Sequence, residues 1–122
     1  YVVDAGAKRV VVYDLDGGFV AEWPKIKGSG IAVAPDGRVF VADRTDYTIR
    51  VFTPEGIELF RFGEKGEERG QFANFTDIGI SPDGRALAVG DRKGKRVQIF
   101  DLPADRSAAK RRGSARATAR AA

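Results

Sequence analysis

FVADRTDYTIRVFTPEGIELFRF, residues 40–62, lies over YVVDAGAKRVVVYDLDGGFVAEW, residues 1–23, at a shift of 39 positions. A third copy opens near Leu87 as LAVGDRKGKRVQIFD. Self-similarity at a period of this length marks a repeat architecture. Each unit is one supersecondary piece that buries its apolar face only against its neighbours. The repeat identifies the kind of scaffold and says little about what the scaffold binds.

Inside each unit, short alternating runs are separated by turn signals, which is the all-β pattern. Thr48-Ile49-Arg50-Val51-Phe52 and Arg96-Val97-Gln98-Ile99-Phe100 alternate cleanly, and Val2, Val10 and Val12 stand in β-branched runs. Pro35-Asp36-Gly37 and Pro82-Asp83-Gly84 are tight-turn sequences, in which Pro presets φ and Gly takes a positive φ. Asp16-Gly17 and Glu55-Gly56 have the same role one hairpin later.

Four strands per unit follow. The first is 28–34 or 77–81. The second is 38–43, with counterparts 1–4 and 85–91. The third is 48–53, with counterparts 9–14 and 96–101. The fourth is 19–23 or 57–62. The chain opens at a second strand, without Met, and its pattern stops after a third strand, so it reads as a piece of something longer. Pro35 and Pro82 are 47 apart where the strands before the link repeat at 39, so the second link is eight residues longer than the first. Insertions in repeat proteins fall in loops on one face, often the binding face.

The net charge of +4 is unevenly placed. Residues 1–102 carry 15 Lys and Arg against 16 Asp and Glu, whereas residues 103–122 carry six basic residues against Asp105 alone. The segment 103–122 is rich in Ala and Arg and lacks an apolar stripe, so it is expected to be a disordered basic tail, with an Ala/Arg helix as the alternative. The sequence contains neither Cys nor His. Disulfides, thiolate or imidazole ligation of a metal and a Ser-His-Asp arrangement are excluded, which leaves only oxygen ligands for any metal. No apolar run is long enough to span a bilayer as a helix.

VFVADRTDYTIRVFTPEGIELFRFGEKGEERGQFANFTDIGISPDGR, residues 39–85, resembles the NHL repeats of six-bladed, TolB-like β-propellers. Ala42-Asp43 ends one strand and Val51-Phe52 the next. Gly56, Phe62-Gly63, Gly70-Gln71-Phe72 and Pro82-Asp83-Gly84 then follow in the family's order. The likeness runs over residues 1–101. It departs where the family has Asn and this chain has Thr45-Asp46-Tyr47, where the family has Pro and Asn74-Phe75 stand, and where Gly90-Asp91 replaces Ala-Asp. The first unit lacks Gly-Gln-Phe, and the Trp-Asp signature of WD40 repeats is missing, since Trp23 precedes Pro24. The resemblance implies an incomplete β-propeller of antiparallel four-stranded blades, comprising about two and a half repeats in residues 1–102.

Individual residues are weighed against that repeat. Asp4, Asp43 and Asp91 share a register and are read as turn carboxylates rather than as a metal or substrate ring. Arg9 and Arg96 share another and are expected to bridge to neighbouring turns. Tyr13, Phe52 and Phe100 read as core between blades, as do Trp23 and Phe62. Glu64 to Arg69 reads as a solvated loop. Arg44, Asp46 and Tyr47 form the candidate interaction rim, because Tyr and Arg are enriched in interface hot spots.

The resemblance implies a binding scaffold with no cofactor, for which a protein is the expected partner and RNA a second one. The basic tail adds weak, sequence-blind attraction to anions. Self-association through open blade edges is also expected. Two alternatives stand beside this reading. One is part of a propeller enzyme of the amidating-lyase or lactonase kind, inactive alone because its metal ligands come from several blades. The other is a truncated reading frame without independent function.

Overall fold

The computed structural model describes residues 1–102 and 118–120. All regular structure among these residues is β. Strands β1 (Val2–Asp4), β2 (Arg9–Tyr13) and β3 (Phe19–Pro24) form the first sheet. The second is made of β4 (Gly28–Val33), β5 (Val39–Asp43), β6 (Thr48–Phe52) and β7 (Glu58–Phe62). Two short strands, β8 (Glu64–Lys65) and β9 (Gln71–Phe72), pair in parallel. The third sheet contains β10 (Phe75–Ile80), β11 (Ala86–Asp91), β12 (Arg96–Asp101) and β13 (Thr118–Arg120). The three larger sheets are antiparallel meanders of the propeller-blade type, and their strands fall within about two residues of the positions that alternation and turns indicate.

One element was not anticipated. Thr118–Arg120 lies in the segment expected to be disordered, yet it pairs with β12 through Ile99↔Arg120, Phe100↔Ala119 and Asp101↔Thr118. The physical reason is the open edge of β12, whose free N–H and C=O groups accept a further strand of almost any composition. The other residues of the tail lie outside the described residues.

The hairpin turns at one end of the blades follow their sequence chemistry. Gly37 N donates to Ala34 O, Gly56 N to Thr53 O and Gly84 N to Ser81 O, each at 2.9–3.0 Å. These three glycines have φ between 74° and 95°, a region costly for any residue with a Cβ. The turns at the opposite end close differently. Their last residues, Lys8, Tyr47 and Lys95, occupy the same left-handed conformation with φ of 52–60° and no glycine to relieve it. Lys95→Asn is therefore expected to stabilise the chain by about 0.5–1 kcal/mol, because Lys95 is exposed and Asn tolerates this conformation better. Thermal unfolding checks this, and an unchanged or lowered midpoint contradicts it.

Blades stack through two apolar seams. Val10, Trp23, Ile26, Val39, Val41 and Phe52 fill the first. A larger cluster that includes Phe40, Ile49, Val51, Phe60, Phe72, Phe75, Leu87, Val89 and Phe100 fills the second. An aromatic contact recurs in both. Trp23 meets Phe52 with ring centres 5.2 Å apart, and Phe62 meets Phe100 at the same separation. The innermost strands converge where side chains are absent: a Cβ on Gly30 would lie 3.2 Å from the Asp77 Cα. Tyr13 departs from the expected core. Although it shares its register with Phe52 and Phe100, it is 46% exposed, because among the described residues no blade lies against the face of β1–β3 on which it stands.

Candidate functional site

Antiparallel connection sends successive links to alternate ends of the blades, and the two ends differ in charge. The end bearing Asp14-Leu15-Asp16, Pro35-Asp36-Gly37, Pro54-Glu55-Gly56 and Pro82-Asp83-Gly84 is acidic. Its arginines are Arg85 and Arg38, and Arg38 is buried beside Asp36 at 2.8 Å. At the opposite end lie the turns 5–8, 44–47 and 92–95 and the links 25–27 and 63–74. Lys8, Lys25, Arg92, Lys93 and Lys95 project from it exposed and without an ion pair among the described residues.

The aspartates of the blade turns at that end are already engaged and leave these cations unpaired. Asp4 accepts from Ala7 N at 3.2 Å and from Arg9 Nε at 3.1 Å. Asp43 accepts from Thr45 N at 2.8 Å and Arg50 Nη1 at 2.8 Å. Asp91 accepts from Ala73 N, Asn74 N and Gly94 N at 3.0–3.2 Å. The shared register of these aspartates is therefore turn chemistry, as the repeat implied. Among the described residues no group of three or more acidic side chains is arranged to hold a metal ion.

Electrostatics agrees with that role. Burial acts to raise the Asp91 carboxyl, but the N–H donors of Ala73, Asn74 and Gly94, with Arg96 nearby, outweigh it and hold the group below the usual range. At Asp43, burial is likewise overcome by the Thr45 amide and the Arg50 guanidinium. At Glu58, burial is overcome by Arg61 and Arg50. Asp4 is lowered mainly by the Ala7 amide, then by Arg9.

The sequence-derived rim residues share one turn but point to different tasks. Asp46 accepts from Thr48 Oγ1 at 2.6 Å and from Arg61 Nη1 at 3.1 Å. Tyr47 is half-buried against the second seam, stacked 6.1 Å from Phe75 with Lys65 Nζ 5.5 Å above its ring. Arg44 is half-buried, and its Nε has no hydrogen-bond partner. Of the three, Arg44 is the one with a buried donor that lacks a partner.

The longer link contributes to structure more than its composition suggests. Glu67, Glu68 and Arg69 are solvated, as read from the sequence. The backbone beneath them is clamped, however: Arg96 Nη2 donates to Glu68 O and Gln71 O, each at 2.9 Å, and Gly70 N donates to Gln98 Oε1 at 2.8 Å. Phe72 is fully buried between Phe75 and Phe100, with ring centres 4.8 and 5.8 Å away. Phe72 is a large apolar residue in an otherwise polar stretch, and that was the available signal. The resulting site is an ordered end of three stacked blades that presents free cations on its turns, most densely at Arg92-Lys93-Gly94-Lys95.

Compared with known proteins, residues 29–52 match the family model described as NHL repeat. This match spans β4 to β6, the central blade's first three strands. No curated protein matches the chain.

Proposed function

We propose that this chain, an array of propeller-type blades carrying an NHL repeat, is a binding scaffold that docks an acidic surface of a protein partner on its cationic end. The observation that carries the reading is the contrast just described. Asp4, Asp43 and Asp91 at that end are consumed by backbone and arginine donors, whereas Lys8, Lys25, Arg92, Lys93 and Lys95 remain exposed and unpaired among the described residues and outnumber the solvated Glu67 and Glu68 of the long link. Free charge of one sign on a rigid frame steers encounter and sets orientation. Arg44 and Tyr47 border the same surface and supply a donor and an aromatic edge. A six-bladed closed ring, as the resemblance implies, would present this end as one continuous face.

Affinity capture from cell extract with the 122-residue chain as bait tests the reading. Arg92→Glu/Lys93→Glu is expected to weaken capture of the bound protein by about tenfold or more, since reversal sets like charges against each other. Asp14→Ala/Asp16→Ala at the opposite end is expected to leave it unchanged. Capture that resists nuclease supports a protein partner, and capture abolished by nuclease identifies RNA instead. If the charge-reversed bait and Arg44→Ala/Tyr47→Ala both retain every partner, the cationic end is not the binding surface.

A further inference from the structure

Among the described residues, two sheet faces are uncovered, and they are the opposite halves of an interface that the chain already makes twice. Every residue of β5 is buried, because the first blade covers one face of its sheet and the third blade the other. On β11 burial alternates: Leu87, Val89 and Asp91 are buried toward the second blade, whereas Ala86, Ala88 and Gly90 face outward, only half-covered. On the first blade it is the other face that is open, with Val2 at 50%, Tyr13 at 46% and Phe19 at 63% exposure.

Register fixes what each open face corresponds to. Tyr13 stands where Phe52 and Phe100 stand, and both of those rings seat against the preceding blade. On the outward face of the third blade, the cross-strand pair Ala88↔Ile99 corresponds to Phe40↔Val51 of the second. Ala88 in place of the larger Phe40 leaves that face hollow. A depression of about 350 Å³ lies there, lined by Gly79, Ile80, Ser81, Ala86, Ala88 and Ile99. Tyr13 ends β2, and the hollow lies where β10 ends and β11 begins, so knob and hollow sit toward the same end of their sheets.

We propose that a second copy of this chain occupies these faces, docked head to tail, with Tyr13 of one copy seated in the Ala88 hollow of the next. The contact continues the stacking seen between the first and second and between the second and third blades. It joins two different surfaces, so it is heterologous, closing into a ring or extending according to its rotation. It buries exposed apolar area without requiring a new kind of contact. The proposal is independent of the cationic end, which lies along the rim of the stack and stays open in the assembly.

Sedimentation of the full chain with single-face variants tests it. Wild type at micromolar concentration is expected to sediment as an assembly larger than one chain. Tyr13→Glu spoils only the first face and Ala88→Arg only the third, and each alone is expected to run as a monomer. Mixed in equal amounts, the two variants retain one good face each and are expected to form a complex that stops at two chains. Emission from Trp23, buried in the first seam, reports whether each variant is folded. Phe19→Glu and Val97→Glu, at exposed positions on the same two faces, repeat the test if an original variant does not fold. A monomeric wild type overturns the proposal, as does a folded variant that assembles like wild type. A mixture that stays monomeric also overturns it, because it would mean each face pairs with its own kind.

Discussion

Phe100→Ala is expected to lower the unfolding free energy by about 3–5 kcal/mol, the range for truncating a fully enclosed aromatic residue. Phe100 is 2% exposed, with ring centres 5.2 Å from Phe62 and 5.8 Å from Phe72. Removing it empties the second seam from both sides. Tyr13→Ala alters the same position of the repeat and is expected to cost about 0.5 kcal/mol or less at concentrations where chains are separate. Denaturant titrations followed by circular dichroism compare the two directly. Equal losses would mean that blade stacking, as described, does not decide which copy of this position is core.

Asp91→Ala is the other large effect. The substitution strands the N–H groups of Ala73, Asn74 and Gly94 around a site only 2% exposed, and unpaired buried donors cost about 1–3 kcal/mol each. Partial access of water to the turn limits the sum, so a loss of about 3 kcal/mol is expected at pH 7. Acid provides the diagnostic. The folded-state pKa of Asp91 is lowered, so its contribution is present above the unfolded-state value near 4 and is lost as pH falls through the folded value. The gap between wild type and Asp91→Ala should therefore narrow below about pH 4. A gap that holds its size at pH 3 would show that Asp91 contributes through packing rather than through its charge. Asp91→Asn, which keeps an acceptor oxygen, should lose less.

Much of this was legible from the chain alone, because the determinants are local. Period-2 alternation located β2, β6 and β12. The Pro-Asp-Gly turns located the ends of β4 and β10, and the shared register of Asp4, Asp43 and Asp91 identified turn chemistry rather than a metal ring. Features that depend on a distant neighbour were hidden. Tyr13, Phe52 and Phe100 are interchangeable in sequence, and only the presence of a blade against each decides which is buried. Phe72 reads as part of a polar link until β12 supplies Arg96 and Gln98 to hold that link's backbone. The pairing of Thr118–Arg120 with β12 was invisible for a related reason, since an open edge selects by backbone rather than by side chain. At the candidate site, the sequence located the turn of Arg44, Asp46 and Tyr47. It did not show that Arg61 and Phe75 already engage two of the three, or that the neighbouring turn at Arg92–Lys95 carries the free charge.

The two seams are unequal, and that gives the stack a direction of failure. The second is reinforced by the long link, with Phe72 and Phe75 inserted into it; Arg96 and Gln98 donate to the link's backbone and Asp91 accepts from its Ala73 and Asn74 amides, which ties the link to the third blade. The first has a smaller apolar cluster and a shorter link, 25–27, which the second blade holds through Arg50 Nη1 to Lys25 O and Arg44 N to Lys27 O. Under mechanical load the chain therefore resembles a clasp sewn more tightly on one side. The first blade peels away while the second and third stay joined, and the cationic turn at Arg92–Lys95 rides on the part that holds.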